Sequence, residues 1–272
     1  MQTIPDPIDE TDETLDTETS RADPNRRFGA LARLYGTGGY ANLSAAHAVV
    51  VGIGGVGSWT VECLSRSGVG KITLIDMDHI AESNINRQIH AVNHTLGMSK
   101  VRAMRERIEQ INPHCQIYCV EDFLSPDNLK QLLPPQPSVV IDCIDQLRPK
   151  VALAAWCRLE GLLHITCGAA GGKTDTSRIA ICDLSETLQD PLLAKMRNRL
   201  RKEHGFAPPT KRMNVTAVFS SEPMRTTSTC DPMSGLNCSG FGSAMHITAT
   251  MGLMAAGWAI NAVVTANPGP VR

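Results

Sequence analysis

The chain has 272 residues, 42% of them hydrophobic and only 4% aromatic, enough for one large aliphatic-cored α/β domain with or without an appendage. Its net charge of −1 hides an asymmetry. Residues 1–24 hold eight acids and one Arg, a net of −7; the other 248 residues hold 25 basic and 19 acidic groups, a net of +6. This composition excludes a collagenous, low-complexity or disulfide-framework chain, because nine cysteines are scattered with no CxxC spacing.

Residues 1–24 have almost nothing apolar to bury and read as a disordered acidic tail. Arg26–Ala46 is predicted helical with a glycine-rich break at Gly36–Gly39. Ala48–Ile53 is a continuous apolar run of buried-strand type, followed by a glycine loop and a helix from about Ser58 to Ser67. Lys71–Ile75 is a second strand ending at Asp76, and Lys100–Ile111 a helix stopped by Asn112-Pro113. Further strands are expected at Cys115–Val120, Val139–Cys143, Leu163–Thr166, Arg178–Cys182 and Val215–Ser220, with helices near Pro126–Leu133 and Pro149–Glu160. Asp190–His204 is an amphipathic helix closed by Pro208-Pro209. Leu193, Met196 and Leu200 lie on one side, and Lys195, Arg197, Arg199, Arg201 and Lys202 on the other. Strands without a polar face alternating with helices predict an α/β fold, a mostly parallel sheet with helices on both faces, and a C-terminal extension.

Phe241–Ala266 contains no Asp, Glu, Lys or Arg and is long enough to span a bilayer. Its His, Asn, Thr and abundant small residues favour a helix buried in the protein, with membrane association through 241–266 as the alternative. No basic, apolar secretory pattern opens the chain and no disulfide framework is present, so a cytoplasmic location is expected. Residues 25–266 then form the folded domain, and 267–272 a flexible C-terminus.

Gly52-x-Gly54-Gly55-x-Gly57 fits a dinucleotide-type fingerprint. The first glycine permits the turn, the second lets backbone N–H groups approach phosphate, and the last lets the helix pack on the strand. Asp76 ends the next strand, where a carboxylate accepts ribose hydroxyls. Phosphate would sit at the helix N-terminus. Gly168–Thr174 (GAAGGKT) mimics a P-loop but is one residue short, so Lys173 is expected to be a solvated charge.

The stretch DMDHIAESNINRQ (76–88) separates ATP from NAD. A dehydrogenase has no use for Asp78, Asn84 and Arg87 clustered beyond the ribose acid, whereas a triphosphate needs cations and a metal-holding acid. Lys100 opens the following helix and can reach back as a point charge. Asp145 lies at the carboxyl edge of the sheet, placed to hold Mg²⁺. Taken singly, each of these would be a surface charge or a helix cap.

The series GIGGVGS (52–58), LIDMD (74–78), SNINRQ (83–88), GMSK (97–100) and DCID (142–145) resembles the ubiquitin-activating superfamily of ThiF- and MoeB-like enzymes, over about residues 25–265. The bacterial members of that superfamily adenylate carboxylates. The resemblance implies a Rossmann-like fold and ATP with Mg²⁺ as cofactors. It implies ribose on Asp76 and phosphate contacts from Asn84, Arg87 and Lys100, with Asp78 and Gln88 as further ATP-binding residues. Arg87 would act at the α-phosphate as pyrophosphate leaves, and Asp145 would organise the metal. A monovalent cation is a further possibility that it raises. It also implies a homodimer, with Arg33 rather than residue 30 (here Ala30) as the candidate to reach a partner's site.

Two branches remain open. Activators of ubiquitin-like sulfur carriers, which adenylate a C-terminal glycine, usually bind zinc through paired CxxC motifs, and no such zinc site is present here. The branch that dehydrates threonylcarbamoyladenosine in tRNA is the nearer likeness, through GVGSW (55–59), NRQIHA (86–91), RPK (148–150) and CSGFGSA (238–244). It implies tRNA as partner and no DNA, adenylation of the threonine-derived carboxylate followed by ring closure, and sulfur-relay partners such as a cysteine desulfurase. Cys238, in a glycine-flanked turn before the last helix, is a candidate acyl carrier, since a helix N-terminus lowers a thiol pKa; the alternative is a small buried residue. Cys230 is a weaker candidate.

Overall fold

The computed structural model describes residues 22–225 and 241–266. In chain order its elements are α1 (Pro24–Ala45), β1 (His47–Val51), α2 (Gly57–Arg66), β2 (Lys71–Ile75), α3 (Lys100–Ile111), β3 (Gln116–Val120), α4 (Leu129–Leu132), β4 (Val139–Asp142), α5 (Leu147–Leu159), β5 (His164–Cys167), β6 (Ile179–Asp183), α6 (Pro191–His204), β7 (Thr216–Ser220) and α7 (Met245–Thr265). The strands form one sheet in the order β3-β2-β1-β4-β5-β7-β6, parallel throughout except for β6, which runs antiparallel to β7 at the edge. The chain order reverses between β1 and β4, and in open α/β sheets ligands bind at that point, beyond the carboxyl ends of the strands.

Both sheet faces are covered, which explains why the strands read as unbroken apolar runs. Successive β-strand side chains point to opposite faces. Ala48 and Val50 accordingly pack with Leu64, Met104 and Met251 of α2, α3 and α7. Val49 and Val51 pack with Leu129 and Leu153 of α4 and α5. A third cluster joins Val151 of α5 to Leu193, Met196 and Leu200 of α6, the predicted apolar stripe.

The acidic stretch ends inside the fold. Asp23 caps α1 by accepting Asn25 N–H at 2.8 Å, and Arg27 ties α1 to the Ile111 carbonyl at 2.7 Å. Residues 1–21 and 267–272 lie outside the described residues. Gly36, at φ +77°, breaks α1 where the glycine cluster placed a break. The predicted helix at 126–133 shrinks to the single turn α4. Asn128 accepts the Ser125 N–H at 2.7 Å and donates to the Phe123 carbonyl at 2.9 Å, so its side chain competes with helix and holds the preceding residues in a turn. α6 ends before Pro208-Pro209, at Gly205, which takes a left-handed conformation (φ 62°).

α7 is long and apolar enough to cross a membrane. Here it packs against α1, α2 and the sheet, burying Met251, Ala255, Ala259 and Ile260. Its small residues make this possible: Thr60 of α2 donates to the Gly252 carbonyl at 3.1 Å, an approach that leaves no room for a side chain.

Two histidines report on this packing. His90 is 97% buried and neither ring nitrogen has a partner among the described residues; the His164 Nε2 is likewise sealed. Burial lowers both pKa values to about 4. The unfolded chain therefore takes up protons below about pH 6.5 that the folded chain refuses until about pH 4. Stability is complete above the unfolded value and is lost as pH falls through this window. The loss is about 2 kcal/mol at pH 5 for His90, with a further contribution from His164. Urea-unfolding midpoints at pH 7 and pH 5 check this; equal midpoints would refute it.

Candidate nucleotide site

The glycine turn is fixed from two sides. Gly52 has φ +87°, and a Cβ there would lie 2.9 Å from the Cys143 carbonyl oxygen of the neighbouring β4 corner. A Cβ on Gly57 would overlap the Gly52 carbonyl itself. Gly54 instead faces open space, where phosphate can meet the backbone. Val56 caps α2 without a side-chain hydrogen bond. The Ser58 N–H is taken by the Gly54 carbonyl at 3.0 Å, while the Gly57 N–H at the start of the helix has no backbone acceptor among the described residues and is left for a ligand.

A cavity of about 550 Å³ opens at this point, within the range of small-molecule sites. Gly52, Gly54 and Gly55 line it together with Asp76, Asp78, Asn84, Arg87, Gln88, Lys100 and Asp145, whereas Gly57 stands behind the turn against the Gly52 carbonyl and Arg33 is not part of the lining. Cys238 and Cys230 lie outside the described residues. A larger groove of about 1030 Å³, lined by Arg27, His90 and Arg107 among others, includes none of this set.

Asp76 accepts the N–H of Ile53 at 2.6 Å and of Asp78 at 2.8 Å, which orients its carboxylate and leaves further lone pairs for ribose hydroxyls. Burial raises its pKa, opposed by Lys100 and those N–H groups. Lys100 donates to Asp78 at 2.6 Å and stands 3.9 Å from Asp76. The backbone carbonyl of Arg87 accepts from Trp59 Nε1 of α2 at 3.0 Å and from Thr248 of α7 at 3.4 Å. Its guanidinium donates to the Ser83 carbonyl at 2.7 Å and to Asn86 Oδ1 at 2.9 Å. Asn84 caps the Ala81 N–H with its oxygen at 3.1 Å, keeping its amide N–H groups for a ligand. Gln88 is buried and its Oε1 has no partner among the described residues. Asp145 is exposed at the rim.

The site has groups that sequence reasoning missed. Met77, Phe123, Leu124 and Ile144 add apolar side chains to the cavity lining, suited to a planar base. No spacing rule marks them, because they come from three separate strand ends. Lys173 is not a solvated charge: it is 98% buried and donates to the carbonyls of Gln189, at 3.0 Å, and Glu222. Burial lowers its pKa. Glu222 accepts the N–H groups of Thr174 and Asp175, which hold its pKa down to about 2. Asp190 caps α6 through Leu193 N–H and also accepts Ala169 N–H at 2.9 Å, so α6 and the GAAGG segment form one cavity wall. The near-P-loop is thus structural, wrapped around an inward lysine.

Beneath the cavity Lys150 and Asp142 form an ion pair of 2.8 Å with both side chains fully buried. The signal for it was present. Lys150 lies at helical spacing from Leu153, Ala154 and Cys157, on the apolar face of α5.

Among the described residues no cluster of three or more His, Cys, Asp or Glu is placed to hold a metal. Magnesium does not need one, since it takes one or two carboxylates together with substrate phosphates. Asp145, across the glycine turn, fits that donor set.

Glycine turn, ribose acid, inward cations and a rim carboxylate at a parallel-sheet switch point define a nucleotide-dependent enzyme site of the adenylating class. The ThiF family model matches residues 27–271, and the chain belongs to that family. It is 47% identical over 235 residues to the tRNA threonylcarbamoyladenosine dehydratase of Haemophilus influenzae, covering 85% of this chain and 90% of that protein. It is 44% identical to the Escherichia coli enzyme of the same name, covering 86% and 92%. The solved structure of E. coli tRNA N6-threonylcarbamoyladenosine dehydratase in complex with ATP superposes with a TM-score of 0.81, at 44% identity over 88% of this chain and 94% of that one.

Arg87→Ala is expected to separate phosphate from nucleoside recognition. A lost charge-assisted hydrogen bond is worth about 1.5–3 kcal/mol. By calorimetry, the Kd for ATP should rise about ten- to a hundredfold, while adenosine affinity and the thermal midpoint stay unchanged. Equal losses for ATP and adenosine would remove Arg87 from the phosphate end.

Proposed function

We propose that this protein uses ATP to adenylate the threonine-derived carboxylate of N6-threonylcarbamoyladenosine in tRNA and then lets that group close into a ring. The observation that carries this reading is the convergence of Arg87, Lys100 and Asp145 on the cavity cradled by the Gly52–Gly57 turn. The extensive identity to dehydratases supports the choice of substrate.

The chemistry follows from the leaving group. A carboxylate oxygen attacks the α-phosphorus, and the bond to the pyrophosphate oxygen breaks. Arg87 and Lys100 balance the negative charge as it moves onto pyrophosphate. A neighbouring nitrogen or oxygen of the same substituent then attacks the activated acyl carbon, and AMP departs with the carboxylate oxygen. The nucleoside has lost one water overall, and that oxygen leaves in AMP. Attack within one substituent needs no carrier thiol, only held geometry. Mg²⁺, held by Asp145 and the phosphates, would supply further charge neutralisation. The resemblance to homodimeric relatives adds a second copy of the chain as partner, which light scattering would test.

For the tRNA, α6 offers a track. Its basic face is narrower than the sequence implied: Arg197 turns in to Leu184 and Thr187, and Arg201 donates to the Ala207 carbonyl. Lys195, Arg199 and Lys202 stay exposed, on a helix whose first residues line the cavity. Their spacing suits phosphate contacts that carry no base information.

Incubation with ATP and threonylcarbamoylated tRNA should yield AMP, with nucleoside 18 Da lighter, about one water by the balance above. No AMP with the tRNA, but pyrophosphate exchange dependent on a carrier protein's C-terminal glycine, would favour the sulfur-carrier reading. Replacing Lys195, Arg199 and Lys202 by Ala should flatten the log–log salt dependence of tRNA binding by about 2, from counterion release, leaving ATP affinity unchanged.

A further inference from the structure

We propose that Lys150 is a positioning residue for adenylation: buried beneath the cavity, its ammonium fixes Asp142 and through it the corner Cys143–Asp145 that faces the nucleotide. The inference deepens the adenylation reading and rests on it.

The hydrogen bonds form a closed chain. Lys150 donates to Asp142 Oδ2 at 2.8 Å and to Thr166 Oγ1 at 2.9 Å, and the Thr166 hydroxyl donates to the same Asp142 oxygen at 2.7 Å. The other oxygen, Oδ1, accepts the N–H of Ile144 at 3.0 Å. One carboxylate thus joins α5, β4 and β5 on one side and the chain leaving β4 on the other. All three side chains are fully buried.

Stability does not explain this arrangement. Replacing a buried ion pair by apolar groups of similar volume is often neutral or stabilising. Lys150 also sits in the first turn of α5, where a cation opposes the helix dipole, and Gln146 caps that helix without a side-chain hydrogen bond. Location does explain it. Asp142 is the last residue of β4, at the switch point. The next carbonyl, that of Cys143, already lies so near Gly52 that a Cβ there would stand 2.9 Å away. Small displacements of this corner would press on the glycine turn, and two residues later the chain presents Asp145 to the cavity. A corner with so little tolerance needs a fixed anchor, and a fully satisfied buried carboxylate is one.

The test compares three proteins: the parent, the double variant Asp142→Asn/Lys150→Met, and Thr166→Val. The double variant removes both charges together and leaves no orphan ion; Thr166→Val removes only the bridging hydroxyl. For each, the thermal midpoint, the Kd for AMP by calorimetry, and kcat and KM for ATP in AMP release from threonylcarbamoylated tRNA are measured. The double variant should keep or raise its thermal midpoint and hold AMP within threefold, yet lose tenfold or more in kcat. Thr166→Val should lose about threefold in kcat with the same AMP affinity. A folded double variant with kcat within twofold of the parent overturns the proposal. If the double variant fails to fold, an unchanged kcat in Thr166→Val overturns it, and a threefold loss in kcat with AMP affinity kept supports it. Parent protein that binds AMP but releases none from ATP and tRNA points instead to failure of the adenylation reading.

Discussion

The arrangement of the site depends on one close approach, that of Gly52 to the carbonyl of Cys143. The two residues leave adjacent parallel strands, β1 and β4, at the place where strand order reverses. The next connection after β1 crosses to one side of the sheet, and that after β4 to the other, so a crevice opens between them. Its depth is set by how near the two chains run. Any side chain at residue 52 would force them apart, and a side chain at residue 57 would lift α2 off the strand. Glycine at these positions therefore determines where α2 begins and where its free N–H points.

Around this fixed point the cations are held in two different ways. Arg87 and Lys100 rest on acceptors they can leave: a backbone carbonyl and a side-chain amide for Arg87, the exposed Asp78 for Lys100. Lys150 and Lys173 sit in closed shells, one on Asp142 and Thr166, the other on backbone carbonyls. The first pair lines the cavity and can pass its hydrogen bonds to phosphate. The second pair cannot reach a ligand and shapes the wall and floor instead. Burial does not make the division, since Lys100 is only 6% exposed. The four positive side chains divide by whether they line the cavity, as Arg87 and Lys100 do, or stand behind its wall and floor, as Lys150 and Lys173 do.

That division also accounts for what the sequence made legible. Parallel strands covered on both faces leave plain apolar runs, and α3 began and ended where Lys100 and Asn112-Pro113 indicated. Glycine spacing, the Asp ending β2 and the 83–88 cluster located the cavity, because each is a local backbone or charge requirement. Illegible features were those in which a polar side chain serves another part of the chain. Asn128 shortens α4 by binding residues before it, and Arg197 leaves the basic face for the loop before α6. Lys173 resembled a surface charge because its shell comes from carbonyls 16 to 49 residues away. Local pattern carries no record of such partners.

Lys150 is the instructive case between these. Helical spacing places it on the apolar stripe of α5, which by itself says only that a charge is buried and must have a partner. The identity of that partner is fixed by topology: β4 and β5 are neighbours, Asp142 pairs with Thr166 in register, and α5 crosses back over both. A charge on an apolar face is thus a prediction about a distant element, and here that element ends at the mouth of the site. The same reasoning separates fold from function in this chain. Glycine turns and apolar strands would serve any nucleotide, whereas a lysine retained in a fully buried ion pair, at a helix terminus that disfavours it, marks a place where the chain holds geometry rather than gaining stability.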